Sequence, residues 1–156
     1  MKAPAGISGG SSTRLAVRAV ILRDERLLVV NAYRDRSRDL WCAPGGGVEP
    51  GTSLPDNLIR EVHEETGLGI EVGVPCLVNE FHDPASGFHQ VDVYFRARIC
   101  SGRLSADWRD PAGIVADRRF VTRDELCTMR FKPDSLPAIA WDGTGLLYDP
   151  LEPILR

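Results

Sequence analysis

The stretch that decides the fold of this chain is PGGGVEPGTSLPDNLIREVHEETGL, from Pro44 to Leu68. In it a glycine-rich turn leads into a short helical segment with three carboxylates, Glu61, Glu64 and Glu65. Like charges this close repel each other, so a helix gains nothing from them unless a cation lies among them. Carboxylate oxygens are hard ligands, which favours Mg²⁺ or Mn²⁺ over zinc. A magnesium site beside a glycine turn indicates chemistry on phosphates.

The spacing of the carboxylates predicts where they lie on the helix. We expect the helix to span residues 54–66, and at about 100° per residue the three glutamates then share roughly 100° of arc. That arc borders the apolar side formed by Leu58 and Val62, whereas a merely solvated acidic surface would more naturally lie opposite it. A purely structural alternative is that Arg60 pairs with Glu64, four residues further on.

Composition predicts one ordinary globular domain. The chain has 156 residues, of which 43% are hydrophobic and 26% charged, as is usual for a chain with a single core. A net charge of −3 argues against a general nucleic-acid surface or a membrane surface, and no apolar run is long enough to span a bilayer. The four cysteines form no CxxC pair, so we expect buried free thiols in a reducing cytoplasm.

The remaining pattern predicts strands on both sides of the helix. Residues 1–12 are predicted to be a flexible leader without a signal-peptide segment, and residues 13–156 a single domain. Strands are expected at 13–22, 26–32, 69–81 with a break near 73–75, 89–99 and 114–121. Thr122 and Glu125 have the spacing of a capping box before a short second helix, and the tail from residue 131 is expected to hold one more. Strands flanking helices in mixed order predict an α/β sandwich around a mixed sheet.

From Gly46 onward the chain resembles the Nudix hydrolase family, whose motif is G-x5-E-x7-R-E-U-x-E-E-x-G-U with U an aliphatic residue. Gly46 takes the first position. The second half of the motif matches in full register, at Arg60, Glu61, Val62, Glu64, Glu65, Gly67 and Leu68. The approach to the motif is also similar, with Trp41, Pro44, Gly45 and Glu49.

The resemblance implies a Nudix-type α/β/α sandwich with a mixed β-sheet. It also implies a pyrophosphohydrolase that splits the diphosphate bond of a nucleoside diphosphate linked to another moiety X, with Mg²⁺ as cofactor and Mn²⁺ as a substitute. Glu61 and Glu65 would then be metal ligands, and Glu64 a ligand or the general base. Arg60 would orient a glutamate. The carbonyl of Gly45 or its neighbour could add an oxygen ligand, because glycine lets the backbone approach closely.

One position departs from the motif. Its first glutamate, which in the family supports the arginine and the metal-binding region, is Thr52 here. Thr52 or Ser53 is expected to cap the helix instead. Asn57 replaces a small residue common at its position and is expected to point into the acidic arc. The site would then hold fewer metal ions or turn over more slowly, and the three remaining glutamates would keep it active.

Two other functions stay open. Thr52 motivates a catalytically weakened Nudix-fold module that binds or senses nucleotides. The position of Cys42 beside the glycine turn motivates an isomerase that acts on an isoprenoid diphosphate, which would need a cysteine or an acid pair near the diphosphate.

Substrate contacts are predicted around the glycine turn. Gly46 and Gly47 are candidates, and so are three alternating arginines of the preceding loop, Arg34, Arg36 and Arg38, whose guanidinium groups suit phosphate oxygens. Plain surface charge is the simpler interpretation of these arginines. Candidates for stacking on a base, each with packing as its alternative, are Tyr33, Phe81, Phe88 and Trp108.

Two later residues are weaker candidates. Glu80 is an extra metal ligand or a solvated carboxylate at the end of a strand. Pro84 lies sixteen residues after Leu68, a spacing that accompanies ADP-ribose hydrolysis in some Nudix subgroups, although an Asp-Pro turn explains this proline equally well.

The predicted partner is a small-molecule nucleotide, such as ADP-ribose or a nucleoside triphosphate, or another diphosphate substrate. Neither a membrane nor a general nucleic-acid surface is expected. A cytoplasmic location is predicted, and the sequence leaves the oligomeric state open, with a homodimer as one option.

Overall fold

The computed structural model describes residues 12–31, 39–143 and 145–154. Within these ranges the chain forms nine strands, two α-helices and a single π-helical turn. The strands are β1 (Arg14–Arg23), β2 (Arg26–Asn31), β3 (Trp41–Cys42), β4 (Gly45–Gly47), β5 (Gly69–Asp83), β6 (Phe88–Ser101), β7 (Asp117–Val121), β8 (Leu147–Tyr148) and β9 (Glu152–Pro153). The helices are α1 (Leu54–Thr66) and α2 (Arg123–Cys127), and the π-helical turn covers Ala138–Asp142.

One mixed sheet organises the fold. Its strands follow the order β3-β2-β1-β6-β5-β8, while β4, β7 and β9 pair with β1, β2 and β5 respectively. β1 and β6 run parallel, and β5 and β6 form a long antiparallel hairpin. β4 pairs with the start of β1 on the side away from β6, so the glycine turn of the sequence becomes a short strand beside the centre of the sheet.

Apolar side chains alternate along β1 and build a core on each face of the sheet. On one face Val17 and Ile21 pack with Leu58 of α1. On the other face Val20 belongs to a second core that includes Leu126 of α2. Helices therefore cover both faces of a mixed sheet, which confirms the predicted α/β sandwich.

Helix α1 has the predicted bounds, Leu54–Thr66. Of the two candidate caps, Ser53 is the one that acts, since its Oγ accepts a hydrogen bond from the N–H of Asp56 at 3.1 Å. Gly67 ends the helix with a φ of 75°, a left-handed conformation that glycine adopts most readily. The capping box predicted for the second helix is also present, between Thr122 and Glu125.

Three predicted elements differ from the structure. The strand expected at 114–121 begins at Asp117, because the carboxylate of Asp110 binds the N–H groups of residues 112, 114 and 115 and holds them in a loop. The break expected near 73–75 is an irregularity within β5, where the register with β6 shifts between Val72 and Leu77. The helix expected in the tail is the π-helical turn.

The cysteines are all free thiols, but the prediction that they are buried is wrong for two of them. Cys76 is buried and Cys42 is half-buried, whereas Cys100 and Cys127 are exposed. The exposed pair lies at the ends of β6 and α2, where the chain leaves the core.

In the three described ranges, no helix has the length and apolar character needed to cross a bilayer. The predicted leader covers residues 1–12, and residues 1–11 lie outside the described ranges.

Candidate active site

Glu65 joins α1 to the glycine strand. Its side chain is 7% exposed, and its Oε2 accepts a hydrogen bond from the N–H of Gly45 at 3.0 Å. Burial raises the pKa of Glu65 to about 8, while the charge of Arg18 and the Gly45 hydrogen bond act in the opposite direction. The buried carboxylate therefore lacks enough nearby positive charge to hold its ordinary pKa.

Glu61 packs against Gly46. A Cβ added at Gly46 would overlap the Glu61 carboxyl group, at 2.5 Å from its Cδ. Burial raises the pKa of Glu61, while the hydrogen bond and charge of Arg60 lower it. A side chain at position 46 would therefore displace the Glu61 carboxyl group from its place against the backbone.

Arg60 holds two of the three glutamates. Its Nη1 lies 2.9 Å from Glu61 Oε1 and 3.4 Å from Glu64 Oε2. The predicted pair between Arg60 and Glu64 is therefore present. Nη2 donates to the carbonyl of Gly47 at 3.3 Å, so the same guanidinium also reaches the glycine strand.

Asn57 lies on the other side of Arg60 and is fully buried. Its Oδ1 accepts hydrogen bonds from Arg60 Nη2 at 3.0 Å and from the N–H of Glu49 at 2.9 Å. Its Nδ2 donates to the carbonyls of Thr52 and Ser53, at 3.0 and 2.9 Å. Asn57 is expected to point into the acidic arc, and it reaches that arc only through its hydrogen bond with Arg60. The other three hydrogen bonds of its side chain are with the 49–53 loop.

The three glutamates differ in their access to water. Glu65 is buried, and the Glu61 and Glu64 side chains are 16% and 37% exposed. In the described ranges, no three His, Cys, Asp or Glu side chains form a preformed metal cluster. The donor set nevertheless fits a hard divalent cation, because two of its carboxylates have pKa values raised by burial and a cation would supply the missing positive charge.

Two residues from a distant loop and strand fix the C-terminal end of α1. Trp108 Nε1 donates to the carbonyl of Glu64 at 2.8 Å, and its ring lies against Gly67 where a Cβ would overlap it. The guanidinium of Arg118 donates to the carbonyl of Glu65. Of the two interpretations of Trp108, stacking on a base and packing within the protein, these contacts support packing. Sequence reasoning missed Arg118, because its contact is with the backbone 53 residues earlier.

A cavity of about 290 Å³ lies on the face of the sheet opposite α1. Its lining includes the predicted aromatic candidates Phe81 and Phe88, and also Cys42, Tyr94, Lys132, Arg14 and Arg18. Arg18 connects the cavity to the glycine strand, since its Nη1 donates to the carbonyls of Ala43 and Gly45 at 3.3 and 3.4 Å. The Gly45 carbonyl, a predicted metal ligand, thus binds Arg18 in this arrangement.

The floor of the cavity is a chain of polar side chains. Arg14 donates to Gln90 at 2.6 Å, and Gln90 donates to Asp92 at 2.7 Å. Arg18 completes the chain at 3.9 Å from Asp92, whose side chain is 1% exposed. Each of these four side chains is held by its neighbour in the chain, and together they fix the shape of the cavity floor.

Glu80 and Pro84, the two later candidates from the sequence, have other contacts. Glu80 bonds Tyr148 Oη at 2.5 Å and His89 Nε2 at 2.7 Å, and these two hydrogen bonds lower its pKa. Pro84 lies in a turn that the Asp83 carboxylate closes by accepting from the Ala85 N–H at 3.0 Å. The turn accounts for this proline. Tyr33 and the three loop arginines, Arg34, Arg36 and Arg38, lie outside the described residues.

Comparisons with curated proteins find partial relatives. Human "Nucleoside diphosphate-linked moiety X motif 6" is 28% identical over 97 residues, which cover 62% of this chain and 31% of that protein. "Putative ADP-ribose pyrophosphatase YjhB" of Bacillus subtilis (strain 168) is 27% identical over 101 residues, covering 63% and 47%. The chain thus spans less than half of the length of these relatives, 31% of one and 47% of the other.

Solved structures share the fold. A NUDIX hydrolase from Nitrosomonas europaea superposes with a TM-score of 0.71 at 22% identity, covering 84% of this chain and 88% of that one. A UDP-X diphosphatase superposes with a TM-score of 0.66 at 23% identity, covering 88% and 66%. The model of the NUDIX domain family matches residues 12–142. Because this match covers well over half of the sequence, the chain belongs to the Nudix family.

Proposed function

We propose that the chain is a Mg²⁺-dependent pyrophosphohydrolase that splits the diphosphate bond of a nucleoside diphosphate linked to another moiety X. The observation that carries this proposal is the arrangement of Glu61, Glu64 and Glu65 around the glycine strand. Two of these carboxylates touch glycine residues of β4, and burial leaves them short of positive charge. Relatives named for ADP-ribose pyrophosphatase and for a nucleoside diphosphate-linked moiety support the same class of substrate.

Glu61 and Glu65 are the proposed metal ligands, because they combine burial with a raised pKa. Bound Mg²⁺ would neutralise diphosphate oxygens and activate the attacking water. Glu64 is the most exposed of the three carboxylates and is the proposed general base. Arg60 pairs with both Glu61 and Glu64, so it would set the direction in which their oxygens point.

The cavity on the opposite face is the proposed site for part of the substrate. Phe81 and Phe88 line this cavity, and aromatic rings suit stacking on a nucleobase. Arg18 lies between this cavity and the carbonyl of Gly45, so a substrate in the cavity would have its diphosphate near the glycine strand. ADP-ribose is one candidate substrate, and nucleoside triphosphates are another.

A nucleotide-binding module with weakened turnover is the second candidate function. Thr52 is exposed and supplies no carboxylate to Arg60. The hydrogen bond from Arg60 to Asn57 argues against this alternative, because it gives the arginine another buried partner. The isomerase is less well supported, since burial raises the pKa of the Cys42 thiol to about 11 even though the charge of Arg18 acts in the opposite direction.

A substrate panel tests the proposal. Nucleotide sugars, dinucleoside polyphosphates, noncanonical nucleoside triphosphates and an isoprenoid diphosphate are incubated with the purified chain, with and without Mg²⁺. Release of a nucleoside monophosphate that requires Mg²⁺ supports the hydrolase. Tight binding without turnover supports the binding module, and a rearranged isoprenoid diphosphate without hydrolysis supports the isomerase. Glu64→Gln and Glu65→Gln are expected to abolish the Mg²⁺-dependent release, whereas Glu71→Gln, which changes an exposed carboxylate on β5, serves as the control.

The predicted cytoplasmic location, the homodimer and the single domain over residues 13–156 stay predictions. Gly46, Gly47 and the loop arginines are proposed as phosphate contacts on the sequence argument alone.

A further inference from the structure

We propose that Asn57 is a positioning residue for the acidic site, acting through Arg60. The proposal rests on the function proposed above, because it assigns to Asn57 the task of presenting Glu61 and Glu64 to the cation. Thr52 stands where the Nudix motif has a glutamate, and the partners of Arg60 Nη2 are the Asn57 side chain at 3.0 Å and the Gly47 carbonyl at 3.3 Å.

The hydrogen bonds of Asn57 use the whole amide. An asparagine side chain has two N–H donors and a carbonyl oxygen with two lone pairs. In the structure the donors bind the Thr52 and Ser53 carbonyls, and the oxygen accepts from Arg60 and from the Glu49 N–H. Because the side chain is fully buried and fully bonded, its position is fixed by the 49–53 loop and the start of α1.

Arg60 transmits this position to the carboxylates. Its guanidinium is planar and rigid, so fixing Nη2 against Asn57 also fixes the direction of Nη1. Nη1 is the atom that holds Glu61 at 2.9 Å and Glu64 at 3.4 Å. Without Asn57, Nη2 would keep only the Gly47 carbonyl at 3.3 Å, so the arginine would gain rotamer freedom and would hold the two carboxylates less firmly.

Glu49 is a weaker support for Arg60. Its carboxylate lies 3.8 Å from Arg60 Nη1, and its side chain is 67% exposed. Exposed ion pairs at such distances contribute little, because water screens the charges and the side chains remain mobile. Asn57 is therefore the support that burial and geometry favour.

The decisive experiment is a double-mutant cycle read by Mg²⁺ binding. Calorimetric titration of the metal-free protein with Mg²⁺ is performed for the wild type, Asn57→Ala, Arg60→Ala and the double variant. We expect each single change to weaken Mg²⁺ binding by roughly tenfold, as for other residues that orient metal ligands. The double variant is expected to be no weaker than the worse single variant, because both changes break the same connection. Full additivity in the double variant, or wild-type affinity in Asn57→Ala, would overturn the proposal.

Two further variants separate positioning from folding. Asn57→Asp keeps the acceptor for Arg60 but loses both donors to the loop, so it is expected to lower thermal stability without weakening Mg²⁺ binding. An equal weakening in Asn57→Asp and Asn57→Ala would show that the loop matters and not the contact with Arg60. Asn79→Ala is the matched control, since Asn79 is an equally buried asparagine that donates to Asp149 and lies on β5.

The titration also separates this proposal from the proposed function. A wild-type protein that binds Mg²⁺ but releases no product from the substrate panel disproves the hydrolase, while the cycle still decides the role of Asn57. A protein that hydrolyses substrate while Asn57→Ala binds Mg²⁺ normally disproves only the role of Asn57. A wild type that does not bind Mg²⁺ overturns both.

Discussion

The buried carboxylate of Glu65 accepts a hydrogen bond from the backbone N–H of Gly45 at 3.0 Å, and this bond ties α1 to the glycine strand. Burial raises the pKa of this carboxyl group from 4.5 to about 8. The metal-free protein consequently keeps Glu65 protonated over much of the neutral range. Two consequences follow, one for the pH dependence of folding and one for the effect of a cation.

The first prediction is that the metal-free protein loses stability as the pH rises from about 5 to about 8. The unfolded chain releases the Glu65 proton near 4.5, whereas the folded chain holds it until about 8, so the folded state binds more protons in this window. The free energy of unfolding then falls by at most about 1.4 kcal/mol per pH unit for this one group. Urea denaturation in chelator-containing buffers across this range measures the slope.

Glu65→Gln is the test variant for that slope. Glutamine keeps an oxygen that accepts from the Gly45 N–H but does not titrate, so the variant is expected to show a flatter dependence of stability on pH. Mg²⁺ should flatten the wild-type curve and leave the variant unaffected, because a bound cation favours the ionised carboxylate. A variant with the wild-type slope would mean that other groups carry the pH dependence.

The second prediction concerns Gly46. Gly46→Ala is expected to lower kcat/KM on the order of a hundredfold, because the added methyl group occupies the space of the Glu61 carboxyl group and displaces it. The thermal unfolding midpoint should change much less, since Glu61 is half-buried and can turn toward solvent.

Gly73→Ala is the control for Gly46→Ala. An added Cβ at Gly73 would lie 3.1 Å from the carbonyl oxygen of Arg96, so it also meets a neighbour, but that neighbour is backbone of β6 and not an acidic side chain. Comparable losses of kcat/KM in the two variants would argue that any added methyl group on the sheet disturbs activity.

A feature of this site can be predicted from the sequence only where the residues that form it lie close together along the chain. The bounds of α1 follow from Pro55 in its first turn and Gly67 at its end, and the side-by-side carboxylates follow from helical spacing. Trp108 and Arg118 could not be found in this way. They bind carbonyls of α1 from positions 44 and 53 residues later, and such contacts leave no periodic pattern in the sequence.

Asn57 shows the same limit within a single motif. Its departure from the family pattern is visible in the sequence, but its partners are not, because its amide bonds both the irregular 49–53 loop and Arg60 of α1. The start of the strand predicted at 114–121 was wrong for a related reason, since the strand begins at Asp117. Apolar residues such as Ile114 and Val115 suit a strand, yet the carboxylate of Asp110 binds their N–H groups first.

The third prediction concerns the tryptophan that fixes the end of α1. Trp108→Phe keeps an aromatic ring beside Gly67 but removes the Nε1–H that donates to the Glu64 carbonyl, so it should lower stability by about 1 kcal/mol. It should also lower kcat/KM severalfold, because the backbone that carries Glu64 and Glu65 becomes less constrained. Steady-state kinetics and urea denaturation measure the two effects.

Trp141→Phe is the matched control for Trp108→Phe. Trp141 Nε1 donates to the carbonyl of Glu25 at 2.9 Å, in a turn between β1 and β2 that has no part in the acidic site. The two substitutions are expected to have similar effects on stability, and only the change at Trp108 should affect kinetics. Equal kinetic losses would disprove a specific role for the bond to Glu64.

The fourth prediction concerns the buried ion pair under the cavity. Asp92→Asn removes the negative charge that lies 3.9 Å from Arg18, while the amide oxygen can still accept from Gln90. Removing one partner of a buried pair leaves the other charge uncompensated, which costs about 3 kcal/mol of stability. Glu71→Gln, which removes a carboxylate from an exposed pair with Arg98, should cost less than about 1 kcal/mol.

Because Arg18 also holds the Ala43 and Gly45 carbonyls, Asp92→Asn should raise KM as well, and an unchanged KM would show that the cavity floor does not influence substrate binding.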